Sequence, residues 1–364
     1  MKAAVLNRVG GGFAVEDIDI DRPRGREIFV QVKASGLCHS DLHFAETNFG
    51  TPLPAVLGHE LAGVVVELGP DASGFAVGDH VVGSLIRHCG YCRTCTNGRS
   101  FQCEFPEDNL RKQGQPPRLS RSGKPVTQVF GMGSFAEYSL IHENQLVKIP
   151  ESVPFTRAAI LGCGTITGAG AVINSAKAKP GDNVAIIGVG GVGLNAISGA
   201  KLAGANKIIA IDVQPKKKEL AHRFGATDFV DAKANDMVEQ VRKICPGGVD
   251  HVFEMVGVKS ASEQASKMIR VGGGVYLVGI HPPEVSISFN VFKDFLLGQA
   301  MFRGVYMGST NIKNDIPMYA GLYLQKRFNL DDLVSREINI SEINEAYEEV
   351  KGGAIARSVI TSFN

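Results

Sequence analysis

Neither charge nor hydropathy is lopsided in this sequence. Its 364 residues carry 38 basic and 37 acidic side chains, a net of +1. That balance gives no electrostatic case for nucleic acid or an anionic membrane surface as a partner. No uninterrupted apolar run approaches the ~18–20 residues that a membrane span needs. The opening MKAAVLNRVGGGFAVEDIDI has no basic segment leading into an apolar one, as a secretory signal would. Cysteine is scarce, and its count of 7 is odd. An odd count suits a reducing compartment better than a disulfide framework, so a cytoplasmic protein is expected. The 43 glycines cluster without a fixed period, which leaves no room for a solenoid or collagen-like array. What remains is globular chain, long enough for about two domains with real cores.

Most of the few cysteines stand together. CGYCRTCTNGRSFQC runs from Cys89 to Cys103 with the spacing Cys89-x2-Cys92-x2-Cys95-x7-Cys103. Four thiolates so spaced can fold back around one point, as tetrahedral zinc requires. A shell of four thiolates leaves no open position, so such a metal holds a loop rather than doing chemistry. Disulfides and an iron–sulfur cluster are the alternatives, and this spacing fits them less well.

The chain has two textures. Up to about residue 160, short β-rich runs such as EIFVQVKASGL, LAGVVVELG and GDHVVGSLI are punctuated by glycine and proline, as in a barrel or sandwich. Residues 104–134 are polar, basic and proline-bearing, and read as a surface excursion, either a functional lobe or a disordered loop. Strands and helices then alternate. NVAIIGVG, KIIAID, VDHVFEMVG and GGGVYLVGI read as strands of parallel βαβ units, with Pro215 at the first turn of a helix that Gly225 ends. The texture reverts after about residue 305 and ends in the strand-like RSVITSF. The expected fold is an α/β doubly wound domain inserted into a β-rich one, with boundaries 1–164, 165–305 and 306–364.

Gly188-Val189-Gly190-Gly191-Val192-Gly193 fits G-x-G-x-x-G between a strand and a helix, with Asp212 at the end of the next strand. In that context the first glycine allows a tight turn, the second lets backbone approach a pyrophosphate, and the third lets helix and strand pack closely. A plain glycine-rich turn is the bland alternative. Asp212 would accept from the adenosine ribose and repel a 2′-phosphate, favouring NAD. Of Lys216, Lys217 and Lys218, two suit a solvated helix start.

The cysteine lobe, the glycine turn, GLCHSDLH (36–43) and LGHE (57–60) occur together. The set resembles the zinc-dependent medium-chain alcohol dehydrogenases over essentially the whole chain. The 104–134 segment is most similar to their long-loop, dimeric branch. The resemblance implies a Rossmann sheet inserted into a GroES-like β-barrel catalytic domain, with NAD and two zinc ions per chain. It implies a catalytic zinc on Cys38, His59 and Cys163, leaving one position open, and the structural zinc on Cys89, Cys92, Cys95 and Cys103. Without it, Cys163 reads as a small core residue, as Cys245 still does. By the same resemblance Asp41 orients His59 and Glu60 lies behind the metal, although a helix cap and a paired strand residue are ordinary roles for them.

The implied reaction is reversible oxidation of a primary alcohol to an aldehyde, with hydride passing to NAD. By the resemblance the proton would leave through the Ser40 hydroxyl and the cofactor ribose to His43, which would trade it with solvent. Thr167 and Val192 match positions that press on the nicotinamide, and Arg357 matches an arginine at the pyrophosphate. His39 is a departure: the family often has arginine there, and histidine carries less charge toward phosphate. Phe49, Leu85, Val129, Phe130 and Ile280 match the substrate pocket, and none of them can hydrogen-bond a polyol. A bulky apolar alcohol (aromatic, allylic or medium-chain) is therefore expected. A related branch oxidises formaldehyde as a thiol adduct, using an arginine and an acidic residue where Glu107 and Phe49 stand here. A non-enzymatic relative should have lost the ligands and the relay, which are all present. The expected partners are a small alcohol or aldehyde and a second copy of the chain, with no nucleic acid and no membrane.

Overall fold

The computed structural model describes residues 1–233, 236–353 and 357–364. They form two compact units, Met1–Gly164 with Asn311–Asn364, and Thr165–Thr310. Residues 306–310, placed above in the returning segment, fall in the second unit. There the Thr310 hydroxyl donates to the Ile166 carbonyl at 3.2 Å.

The first unit is built on the strand Glu27–Gly36. Its alternate residues Ile28, Val30, Val32 and Ala34 are buried, the period-two pattern of a strand with one covered face. It pairs antiparallel with Glu60–Leu68 along one side. On the other lie Tyr138–His142 and the C-terminal strand Ser358–Ser362. The C-terminal pairing sets Val359 opposite Gly36, and the Leu37 amide donates to the Ser358 carbonyl at 2.9 Å. The end of the chain is thereby brought beside Cys38. Leu61, Val65, Val81, Phe135 and Ile360 fill the core beneath.

The 104–134 excursion is an ordered lobe. Leu119–Arg121 and Lys124–Gln128 pair as an antiparallel hairpin. Two of its basic residues face inward: Arg111 Nη2 and Arg118 Nε each stand 2.7 Å from an oxygen of the buried Glu27. Burial pushes the Glu27 carboxyl up, but the two guanidinium groups outweigh it and hold the group below its ordinary range. Of the two readings, lobe or disordered loop, the lobe holds, and these two arginines tie it down.

The second unit contains six parallel strands in the order 228–231, 207–212, 183–187, 249–254, 269–277, 301–304. Numbered along the chain this is 3-2-1-4-5-6, the Rossmann order. The direction of winding reverses between 183–187 and 249–254, where such sheets bind ligands at their carboxyl ends. The fully buried strands read as continuous apolar runs, Val184–Ile187 and Ile208–Ile211. Met301–Gly304 is an edge strand, and just before it Val291, Phe292, Leu296 and Leu297 are exposed. Among the described residues, no single helix is long and apolar enough to cross a membrane.

Candidate active site and metal centres

Three segments of the first unit converge. Cys38 caps the helix His39–Glu46 immediately after the long strand, His59 precedes the strand Glu60–Leu68, and Cys163 sits at the bend before helix Gly164–Gly170. The Cys38 and Cys163 sulfurs and a His59 ring nitrogen lie within 4.8 Å of one another, all buried. His59 Nε2 is 3.2 Å from Cys163 Sγ, and Nδ1 is 2.9 Å from Asp41 Oδ2. The second approach is short but bent, so neither atom gains a well-directed hydrogen bond. Asp41 is itself fixed by the Gly58 amide, 3.0 Å from Oδ1.

The electrostatics of this cluster suit a cation. Burial works against charge on His59, but Asp41 outweighs it and the ring is held well above its usual range. The Cys38 thiol is held well below its usual range by the hydrogen bond from Cys163 and by Arg357, while Cys163 is held up as the donor. Cys38 is thus poised as a thiolate, and a divalent metal would displace the protons held on His59 and Cys163, leaving three donors of the softness that zinc takes. Two thiolates and one imidazole leave a coordination position open.

The second cysteine cluster lies in the same unit and is closed. Cys89 Sγ is 3.9 Å from Cys95 Sγ, and Cys92 Sγ is 4.0 Å from Cys103 Sγ. No sulfur pair is at the ~2.05 Å of a disulfide, and all seven cysteines are free. Backbone amides of Cys89, Cys92 and Phe105 donate to sulfurs at 3.2–3.3 Å, as they would to thiolates. The Glu104 amide and the Thr94 hydroxyl hold the Cys92 thiol down to about 5.

In the second unit, the turn between Asn183–Ile187 and the helix Gly191–Leu202 has the geometry its glycines imply. Gly188 is left-handed at φ +97°, a Cβ at Gly190 would meet nothing within 4 Å, and one at Gly193 would collide with the Gly188 carbonyl. Tight turn, open approach and close packing are thus separate duties of three glycines. Asp212 Oδ2 accepts from the Val189 amide at 2.8 Å and stands 3.1 Å from Lys217 Nζ, and Oδ1 accepts from the Gln214 amide at 2.9 Å. Val192 is half-buried in the first turn of that helix, and Thr167 Oγ1 lies 3.6 Å from Met307 Sδ.

Comparison with known proteins decides the lineage. Residues 24–151 match the alcohol dehydrogenase GroES-like domain, and residues 191–325 match the zinc-binding dehydrogenase domain. Alcohol dehydrogenase class-P of Arabidopsis thaliana is 34% identical over 99% of this chain and 97% of its own. The chain belongs to the zinc-dependent medium-chain alcohol dehydrogenase family. A crystal structure of benzyl alcohol dehydrogenase from Acinetobacter calcoaceticus superposes with a TM-score of 0.93, at 35% identity, covering 100% of this chain and 99% of the other. A zinc-binding dehydrogenase from Sinorhizobium meliloti, bound to NADP, gives 0.83 at 28% identity, covering 99% and 98%.

Behind the three ligands this dehydrogenase buries an ion pair. Arg357 Nη2 is 2.8 Å from Glu60 Oε1, Nε is 3.1 Å from Oε2, and Nη2 also lies 3.5 Å from Cys38 Sγ. The arginine matched to a cofactor phosphate therefore gives donors to Glu60 and Cys38. His39 is exposed at the start of its helix, Ser40 Oγ is 3.7 Å from Cys38 Sγ, and His43 is exposed one turn on.

Four of the five expected pocket residues belong to the first unit. Leu85 and Val129 are buried, Phe130 is half-buried and Phe49 is exposed. Phe130 meets the His59 ring edge-on, with centroids 5.5 Å apart. Between Phe130 and Phe49 stands Phe44, stacked on Phe49 at 4.7 Å and edge-on to Phe130 at 4.9 Å. Phe44 was missed from sequence. Its position four residues beyond Ser40 on one helix was the available signal, since i and i+4 share a face. Ile280 belongs to the second unit, in the loop after Ile269–Leu277, and is 43% exposed.

Proposed function

We propose that this dehydrogenase oxidises primary alcohols with a bulky apolar body, aromatic or allylic above all, to aldehydes with NAD. The carrying observation is the row Phe49–Phe44–Phe130, which ends edge-on against His59 and offers no hydrogen-bonding side chain. A polyol on that surface would leave hydroxyls unpaired at ~1–3 kcal/mol each, whereas an apolar body gains up to ~0.8 kcal/mol per buried methylene. The name of the Acinetobacter relative points the same way.

Cys38, His59 and Cys163 would hold a zinc, whose chemistry is to polarise the alcohol oxygen so that its proton leaves near neutral pH. Asp41 keeps the His59 ring turned, so that Nε2 faces the sulfurs. Ser40 is the hydroxyl nearest those ligands on its helix, and it passes the proton on toward His43, which solvent reaches. The second zinc would sit on Cys89, Cys92, Cys95 and Cys103 and hold the lobe. Gly188, Gly190, Gly191 and Gly193 with the helix N-terminus would take the pyrophosphate, Asp212 the ribose, and Thr167 and Val192 the nicotinamide. Lys217 and His39 would add positive charge toward the cofactor, whereas Arg357 is committed to Glu60 and Cys38.

Specificity constants for ethanol, hexanol, benzyl alcohol and sorbitol, and for formaldehyde with and without a thiol, test this reading. Benzyl alcohol or hexanol should lead. Sorbitol leading, ethanol matching the larger alcohols, or activity confined to the formaldehyde–thiol adduct would contradict it.

The cofactor preference has its own test. Asp212→Gly should shift the ratio of NADP to NAD use upward by about 10- to 100-fold, by removing a like-charge repulsion of ~1–3 kcal/mol. Equal use of both cofactors by the unmutated protein would show that Asp212 is not at the ribose.

The assembly we propose is a homodimer, with Met301–Gly304 pairing across a two-fold axis and covering the exposed apolar residues just before it. Sedimentation should give a dimer at micromolar concentration, and a stable monomer there would count against this pairing.

A further inference from the structure

Gln145 is fully buried in the first unit, and the proposed chemistry gives it no task. Its side-chain nitrogen donates twice, to the Ser84 carbonyl at 3.0 Å and to the Phe130 carbonyl at 3.0 Å. These carbonyls belong to the two segments that carry Leu85 and Val129–Phe130. One amide thus ties together both walls of the apolar surface beside the metal ligands.

The tie is made where the backbone is strained. Phe130 stands at φ 56°, ψ 11°, in the left-handed region that a bulky residue enters only when its surroundings fix it there. Gly131 follows at φ +69°, and a Cβ on it would lie 2.9 Å from Gln145 Oε1, so the amide is packed against the turn. In this conformation the Phe130 ring meets His59 edge-on at 81°, and Phe44 props it at 75°. Returning Phe130 to the ordinary backbone region would swing its ring away from His59.

We infer that Gln145 is a positioning residue for substrate selection: by holding Phe130 in its left-handed turn, it keeps a rigid ring beside the metal ligands that favours flat, ring-bearing or allylic alcohols over short alkyl ones. This rests on the function proposed above. The amide touches neither substrate nor cofactor, and acts through the ring alone. Its loss should therefore change the choice between alcohols more than the reaction itself.

Gln145→Met keeps the length and removes both donors. Specificity constants for benzyl alcohol and ethanol should show their ratio falling by about tenfold or more, mainly through a higher KM for benzyl alcohol. The kcat for ethanol should stay within about twofold, because the metal ligands and relay are untouched. A crystal structure of the variant should show Phe130 out of the left-handed region. If Gln145→Met does not fold, Gln145→Glu is read instead. A buried carboxyl that keeps its proton retains one donor, so the ratio should fall part of the way. An unchanged ratio in the variant that folds, an equal loss on both alcohols, or a Phe130 turn that persists without the amide would overturn the inference. Wild-type enzyme that oxidises neither alcohol with either nicotinamide cofactor would overturn the proposed substrate class instead, while the variant's crystal structure would still judge the role of Gln145 in the turn.

Discussion

Replacing His59 with alanine should cut alcohol oxidation by about a thousandfold or more, since a metal that polarises the reacting oxygen supplies several kcal/mol and each ~1.4 kcal/mol is tenfold in rate. His59 is fully buried and gives the cluster its one nitrogen ligand. Without it two sulfurs remain, too few to hold zinc and leave a defined open position. Stability should suffer less. The change leaves a small cavity and an Asp41 oxygen without its neighbour, at ~1–3 kcal/mol, while the Gly58 amide still binds the other oxygen. The checks are steady-state kinetics with benzyl alcohol and thermal unfolding of the same preparation. Activity within tenfold of the parent would place the chemistry elsewhere.

Arg357→Leu should act in the opposite proportion at first, on folding before catalysis. Arg357 and Glu60 are both buried, and their two contacts of 2.8 and 3.1 Å join the end of the chain to the strand that follows His59. Removing one partner of a buried pair leaves an uncompensated charge, at ~3–5 kcal/mol. Among the described residues, Glu60 would retain only the Gly164 amide, 3.2 Å from Oε1. Adding Glu60→Gln should recover much of the loss, because the stranded charge is gone. Denaturant unfolding of the two single variants and the double variant measures this coupling. An Arg357→Leu cost under ~1 kcal/mol would mean that the pair matters little to the fold.

How much of this was legible in the sequence depended on whether the signal was local. The strand KIIAID coincides with Lys207–Asp212, and Gly225 ends the helix Lys218–Phe224 at φ +121°. The four-cysteine cluster and the glycine turn are local too, and the geometry of both follows from their spacing. His59 and Cys163 stand 104 residues apart, so no spacing rule joins them, and only the family resemblance did. Glu60 and Arg357, 297 residues apart, were each noticed but not as a pair, because strand register alone brings them together. Composition left 104–134 open between a lobe and a disordered loop, because it could not show that Arg111 and Arg118 turn inward to Glu27. Gln145 carried no signal at all, since its role depends on a backbone conformation at residue 130.

The central claim is that one chain holds two metals of unequal duty, one open and one closed. Zinc content of the fully active enzyme and of two variants, by elemental analysis with activity and unfolding on the same samples, tests it most directly. The parent should hold two zinc ions per chain. His59→Ala should hold one, inactive but folded. Cys95→Ser should lose the other and become unstable or aggregate, because a structural metal site supplies folding energy. One zinc per chain in fully active enzyme would contradict the account.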